Sequence, residues 1–193
     1  LPARRIIKTG SPMREVLNAY SDQIRESDAL SRLGLDKSKY FLVSAHREEN
    51  VDNPARLRAL LSCLDAVTAE YGLPVLVSTH PRTRKRLDEV GRLPQGVRFH
   101  EPLGFLDYNQ LQLNAFCVLS DSGTIAEEAS ILDFPAVTLR DSIERPEALD
   151  TGTIIMTGLD PANVLEGIAL ATAAGAVREL PDDYAPTNCS QRT

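Results

Sequence analysis

Short apolar runs alternate with stretches of helical spacing along most of this 193-residue chain. The runs cover residues 40–44, 74–79, 97–99, 116–120, 136–139 and 153–156. Most are continuous rather than alternating in polarity, the pattern of strands covered on both faces. Between them, 54–71 sets Leu57, Leu60, Leu61, Leu64 and Val67 at helical spacing, behind Asn53 as N-cap and Pro54 in the first helical position. Segments 82–90, 107–115, 125–132 and 161–174 fill the remaining helical slots. Such alternation, with connections of a few residues, predicts an α/β domain built on a doubly wound parallel sheet.

The ends read differently. Ser11-Pro12 is a helix-start signal, and Met13, Val16, Leu17, Tyr20 and Ile24 then share one apolar face with no strand of their own before them. Residues 1–30 are therefore expected to form a connecting region, 31–175 the ligand-binding domain and 176–193 a polar tail, within a longer protein. A net charge of −6 leaves no basic excess to neutralise a nucleic-acid backbone. The one dense basic run, Arg82-Thr83-Arg84-Lys85-Arg86, reads as the solvated face of a helix. No apolar stretch approaches the roughly 20 residues a membrane span needs. Cys63, Cys117 and Cys189 are odd in number and widely spaced, which suits thiols in a reducing cytoplasm.

Chemistry concentrates where strands end. Asp121-Ser122-Gly123-Thr124 follows one strand and opens a helix. Ligands of open α/β sheets bind at that edge, where helix N–H groups and dipole favour a phosphate or diphosphate. Gly123 permits close approach, Ser122 and Thr124 add hydroxyls, and Glu128 lies a little over one turn further on, placed to accept from ribose. A helix cap at Asp121 or Ser122 with a solvated Glu127-Glu128 face explains the same residues, and residue type alone leaves the two readings level. His46 directly follows another strand and suits a proton or a phosphate, Arg47 an anion, and Glu48 or Glu49 the orienting of either neighbour. A self-paired polar loop is the alternative. His80 and His100 follow two further strands, but no pair of histidines has ligand spacing on one element, so no metal is assigned. Arg145, between Glu144 and Pro146, suits a bidentate diphosphate clamp or a local ion pair. Leu103-Gly104-Phe105 offers one aromatic face to a base, or a hydrophobic staple. Neither GxGxxG nor GxxxxGK[ST] occurs.

In order, Ser44-Ala45-His46-Arg47-Glu48-Glu49-Asn50, Ser78-Thr79-His80-Pro81, Pro102-Leu103-Gly104-Phe105, Asp121 to Glu128, and Arg140-Asp141 followed by Glu144-Arg145-Pro146-Glu147 resemble the non-hydrolysing UDP-N-acetylglucosamine 2-epimerase family. The match runs from about Lys8 to about residue 175. That resemblance implies the second Rossmann-like domain of a glycosyltransferase-B-type architecture. It implies a diphosphate held by Ser122, Gly123 and Thr124, ribose on Glu128, phosphates facing His46 and Arg145, and uracil near Phe105. It implies loss of the C2 proton and expulsion of UDP to a bound glycal, then re-addition on the other face. No cofactor is implied; the proton-moving carboxylates belong to an N-terminal domain outside this chain, and the full-length protein is a homodimer. Two positions depart from the family: Glu48 stands where many relatives have arginine, and Thr124 where they have glycine. In regulated relatives, positions like Arg47 and His80 help form an activator pocket, a regulation not assigned here. The strings 8–13, 44–50 and 130–135 look closer to a branch that makes UDP-N-acetyl-L-fucosamine from a 6-deoxy sugar for surface polysaccharides. A nucleotide-sugar-binding domain of a glycosyltransferase is the competing class.

Overall fold

The computed structural model describes residues 9–91, 93–142, 147–174 and 179–192. In chain order the elements are α1 (Met13–Ala19), α2 (Ser21–Glu26), α3 (Ala29–Leu33), β1 (Phe41–Ser44), α4 (Glu48–Val51), α5 (Pro54–Tyr71), β2 (Val75–Ser78), α6 (Pro81–Val90) and β3 (Val97–His100). They continue with α7 (Phe105–Asn114), β4 (Cys117–Ser120), α8 (Ile125–Leu132), β5 (Ala136–Thr138), α9 (Glu147–Asp150), β6 (Ile155–Met156), α10 (Pro161–Ala171) and α11 (Cys189–Arg192). Among the described residues, six strands pair in parallel, in the order β3-β2-β1-β4-β5-β6. This is the doubly wound arrangement, with its topological switch between β1 and β4.

Both faces of the central strands are covered, which is why β1, β2 and β4 read as unbroken runs of mostly apolar residues. Phe41, Val43, Val75, Val77, Cys117 and Leu119 pack with Leu57, Leu60, Leu64 and Val67 of α5, Leu87 of α6, and Val164 and Ile168 of α10. Leu42, Leu76, Val118 and Ala136 take the opposite face with Ala29 of α3, Leu111 of α7, and Ala126 and Ala129 of α8. Successive residues of one strand thus serve different cores. Asn53 caps α5 as expected, its side chain accepting from the Ala55 and Arg56 N–H groups, with Pro54 in the first turn. Burial pushes the Cys63 thiol up to about 11. Among the described residues, no helix is long and apolar enough to cross a membrane.

The differences from the sequence reading are local. The expected helix along the Met13–Ile24 apolar face is two helices, α1 and α2, which break at Tyr20 and pack against α8 and α7. The short helices α3, α4 and α9 carry too few residues to show a period. The short extended piece expected over 6–10 falls largely outside the described residues. The C-terminal segment is more structured than its polar composition suggests. Tyr184 and Cys189 are buried, and Ser11 donates its backbone N–H to the Asp183 carbonyl at 3.0 Å. Gly10 at φ +91° lies under Pro186, where a Cβ would come within 2.8 Å of the proline ring.

Gly167 lies where α10 crosses the sheet. A Cβ there would sit 2.5 Å from Thr157 Cγ2, and Thr157 is buried with its hydroxyl donating to the Thr138 carbonyl at 3.3 Å. Helix propensity favours alanine by about 1 kcal/mol, but overpacking of this kind costs about 1–3 kcal/mol. Gly167→Ala is expected to lower the urea midpoint despite the better helix former; an unchanged or raised midpoint would contradict the packing seen at this crossing.

Candidate functional site

At the switch point the chain leaves β1 toward one face of the sheet and leaves β4 toward the other, opening a crevice beyond the strand ends. Asp121, one residue past β4, spans it. Its carboxylate accepts the His46 N–H at 3.0 Å, the Arg47 N–H at 3.0 Å and Asn50 Nδ2 at 2.9 Å. Its own N–H donates to the Ser44 carbonyl at 3.1 Å. Asp121 is 2% exposed, so it is neither a helix cap nor an open ligand contact; it ties the His46 loop to the end of β4. These three bonds also account for the helical turn α4, which starts right after the pinned N–H groups. Beyond it, Asn50 Oδ1 accepts from Arg56 Nε at 2.9 Å, and Arg56 pairs with Asp141 at 2.7 Å past the end of β5.

The β4–α8 loop turns on its own hydroxyls. Ser122 Oγ lies 2.9 Å from Thr124 Oγ1 and accepts the Thr124 N–H at 3.3 Å. Thr124 is the N-cap of α8, whose first N–H groups have no partner within the helix. Gly123 lies beside the buried Arg140, with Nη1 3.9 Å from where a Cβ would be. Loop, helix terminus and arginine therefore place positive potential at one point, the requirement for holding a diphosphate. Glu128, one turn along α8, accepts from Gln112 Nε2 of α7 at 2.6 Å. Tyr108 of α7 lies alongside; burial and then the Glu128 charge push its hydroxyl pKa up, opposed by hydrogen bonds with Ser44 and Gln112. The adjacent Glu127 accepts from Ser11 Oγ at 2.6 Å and so binds the N-terminal segment to α8.

His46 and His80 meet edge to face, with ring centroids 6.4 Å apart. Desolvation by the surrounding protein lowers the His46 pKa; the Asp121 carboxylate opposes this and the His80 charge adds to it. His80 caps α6 by accepting the Arg82 N–H at Nδ1, 3.3 Å, which assigns its ring proton to Nε2 in the neutral form. The two acidic neighbours of His46 divide. Glu49 pairs with Arg47 at 3.4 Å, whereas Glu48 pairs with Arg82 at 2.6 Å. Arg82 also engages Asp52, and Arg86 engages Asp52 and Glu89. The basic run thus lies on an exposed helix face, with two of its arginines tied to carboxylates. Phe105 begins α7, 43% exposed, with its ring edge-on to Tyr20 at 5.7 Å. Arg145 lies outside the described residues.

Sequence reading missed Asn50, Tyr108, Gln112 and Arg140 as site residues. Asn50 and Arg140 were inside the quoted strings. Tyr108 and Gln112 stand four apart on one helix, a spacing that could have paired them.

The family model for UDP-N-acetylglucosamine 2-epimerase matches residues 1–193. The chain belongs to that family. It is 41% identical over 132 residues to a UDP-N-acetylglucosamine 2-epimerase of Methanococcus maripaludis, covering 66% of this chain and 36% of that protein. The solved UDP-N-acetylglucosamine 2-epimerase of Rickettsia bellii superposes with a TM-score of 0.87 at 40% identity, over 100% of this chain and 52% of that one. The Methanocaldococcus jannaschii UDP-GlcNAc 2-epimerase, solved with UDP-GlcNAc and UDP, gives 0.88 at 27% identity over 100% of this chain and 54% of that one. The chain thus spans about half the length of these solved relatives. It corresponds to the C-terminal domain of the non-hydrolysing epimerases, and the doubly wound sheet is the one these GT-B-like proteins carry.

In this epimerase domain His46 is expected to titrate below the ordinary imidazole value of about 6.5. His80→Gln removes a charge that disfavours protonation and raises the His46 pKa; Asp121→Asn removes the favouring carboxylate and lowers it further. Because the folded pKa is depressed, the associated stability is complete above about pH 6.5 and is lost as pH falls through the folded value, where the unfolded chain binds the proton more readily. NMR titration of the ring protons reads all three; shifts of opposite sign to these would refute the described surroundings of His46.

Proposed function

We propose that this chain is the UDP-binding half of an enzyme that epimerises C2 of a UDP-linked N-acetylamino sugar, UDP-GlcNAc or UDP-ManNAc, by elimination and re-addition of UDP. The observation that carries this reading is the Asp121 bridge, which fastens the His46 loop beside the Ser122–Thr124 loop. A single diphosphate in the crevice then meets both. Ser122, Gly123, Thr124 and the α8 N-terminus hold it, Arg145 clamps it, Glu128 takes the ribose hydroxyls and Phe105 lies against the base. In the elimination a base takes the C2 proton, the C1–O bond breaks, its electron pair leaves on UDP, and the C2 electrons form the glycal double bond. The departing β-phosphate gains charge beside the helix terminus, where oriented N–H groups stabilise it. His46, held neutral near pH 7 by its surroundings, retains a ring N–H to hydrogen-bond that leaving oxygen.

The proton-moving carboxylates belong, on this reading, to the N-terminal domain of the same protein, joined through the 1–30 region, in a full-length homodimer. A reducing cytoplasm is the compartment that suits the buried thiols of Cys63, Cys117 and Cys189.

Titration calorimetry should show UDP bound more tightly than uridine, because the phosphates make the main contact; equal affinities would rule out the diphosphate site. Arg145→Ala is expected to cost about 1.5–3 kcal/mol of UDP binding, with Arg145→Lys recovering only part because the fork geometry is lost. The full-length protein should incorporate solvent deuterium at C2 of UDP-GlcNAc or its 6-deoxy relative, the two arms deciding the sugar. His46→Ala should slow incorporation roughly 10²–10⁴-fold. The 193-residue chain alone should show none, and incorporation by it would move the base onto His46, Glu48 or Glu49.

A further inference from the structure

Helix α7 covers the sheet face lined by Leu42, Leu76 and Val118 and carries polar amides on a buried surface. Asn109 and Gln112 are 3% and 0% exposed. Among the described residues, the Asn109 amide donates within its own helix, to the Phe105 carbonyl. Gln112 instead reaches across to α8, where its Nε2 donates to Glu128 Oε2 at 2.6 Å. Its Oε1 has no hydrogen-bond partner among the described residues. Burying a primary amide with an unsatisfied oxygen is unfavourable, and an apolar side chain of the same size would pack beside Leu111 and Ala115 without that cost. The gain that offsets it lies at Glu128.

We propose that Gln112 is a positioning residue that presets Glu128 for a vicinal diol and so makes this site selective for a ribonucleoside over a deoxyribonucleoside diphosphate. The proposal rests on reading Glu128 as the ribose contact. A glutamate on a helix surface samples many rotamers, and a ligand that must order it loses affinity. Here Gln112 occupies Oε2 from the protein side, and Oε1 remains as the acceptor for ligand hydroxyls. A neutral donor suits this task, because a lysine or arginine at Gln112 would neutralise the charge that attracts the hydroxyls. With the carboxylate fixed in place, a ligand lacking those hydroxyls leaves it unpaired, which is the strongest form of rejection a site of this kind has.

The test compares UDP, 2′,3′-dideoxy-UDP and inorganic pyrophosphate by competition calorimetry on the full-length protein. The unmodified protein is expected to prefer UDP over the dideoxy compound by roughly tenfold or more, the size of a hydrogen bond to a charged group. Gln112→Met keeps the volume and removes the amide; Gln112→Asn keeps the amide but ends one carbon short of Glu128. Both should bring the preference to within about threefold of parity while pyrophosphate affinity stays unchanged. Preference retained in both variants would overturn the role of Gln112 alone. Loss of pyrophosphate binding together with UDP in both would make Gln112 a fold-supporting residue and overturn it too. No preference in the unmodified protein would instead remove Glu128 as the ribose contact, and no binding of UDP or pyrophosphate would remove the diphosphate site beneath both.

Discussion

A buried carboxylate at the sheet's switch point holds the site together. Asp121 is almost fully removed from water, a placement that is strongly unfavourable for an unpaired charge. Three donors from one loop satisfy it: two backbone N–H groups and an amide side chain. The cost of exposing that charge again is what fixes the loop. His46, Arg47 and Asn50 cannot move independently without leaving a buried oxygen unpaired. The same constraint runs outward through Asn50 and Arg56 to Asp141, so loops from β1, β4 and β5 share one hydrogen-bonded frame.

Around that frame the fold divides its charges by role. Positive potential comes from the α8 terminus and the buried Arg140 beside Gly123. Negative groups nearby are spoken for: Glu127 by Ser11, Glu128 by Gln112, Glu48 by Arg82. These carboxylates are held at fixed positions by those partners rather than swinging over the Ser122–Thr124 loop. His46 is kept neutral by crowding despite the carboxylate under its backbone, which leaves it a hydrogen-bonding group rather than a fixed cation.

Reading the sequence recovered the layers well because burial on both faces writes itself as unbroken apolar runs. The helix 54–71, with Asn53 and Pro54 at its start, was legible to the residue. Short elements were not. The turns α3, α4 and α9 are too brief for a period, and α4 exists because Asp121, 75 and 74 positions away, captures the His46 and Arg47 N–H groups before it. The placement of the candidate site was half legible. His46, Ser122, Gly123 and Thr124 stand where a strand ends or a helix starts, positions that the apolar runs before them mark. Gln112 sits mid-helix between Leu111 and Leu113, and the approach of α8 gives it a partner.

The sequence by itself determined the α/β alternation, the Asn53 cap of α5 and which residues would crowd the carboxyl ends of the strands. These follow from burial and backbone chemistry within a few residues. Only the tertiary structure decided what Asp121 does. As the first residue of an Asp-Ser-Gly-Thr turn it has the chemistry of a cap or a ligand contact. Placing β1 beside β4 brings the His46 loop within 3.0 Å, and the carboxylate turns inward to it. A side chain's local options are set by its type, but which option is taken depends on donors that strand order alone delivers.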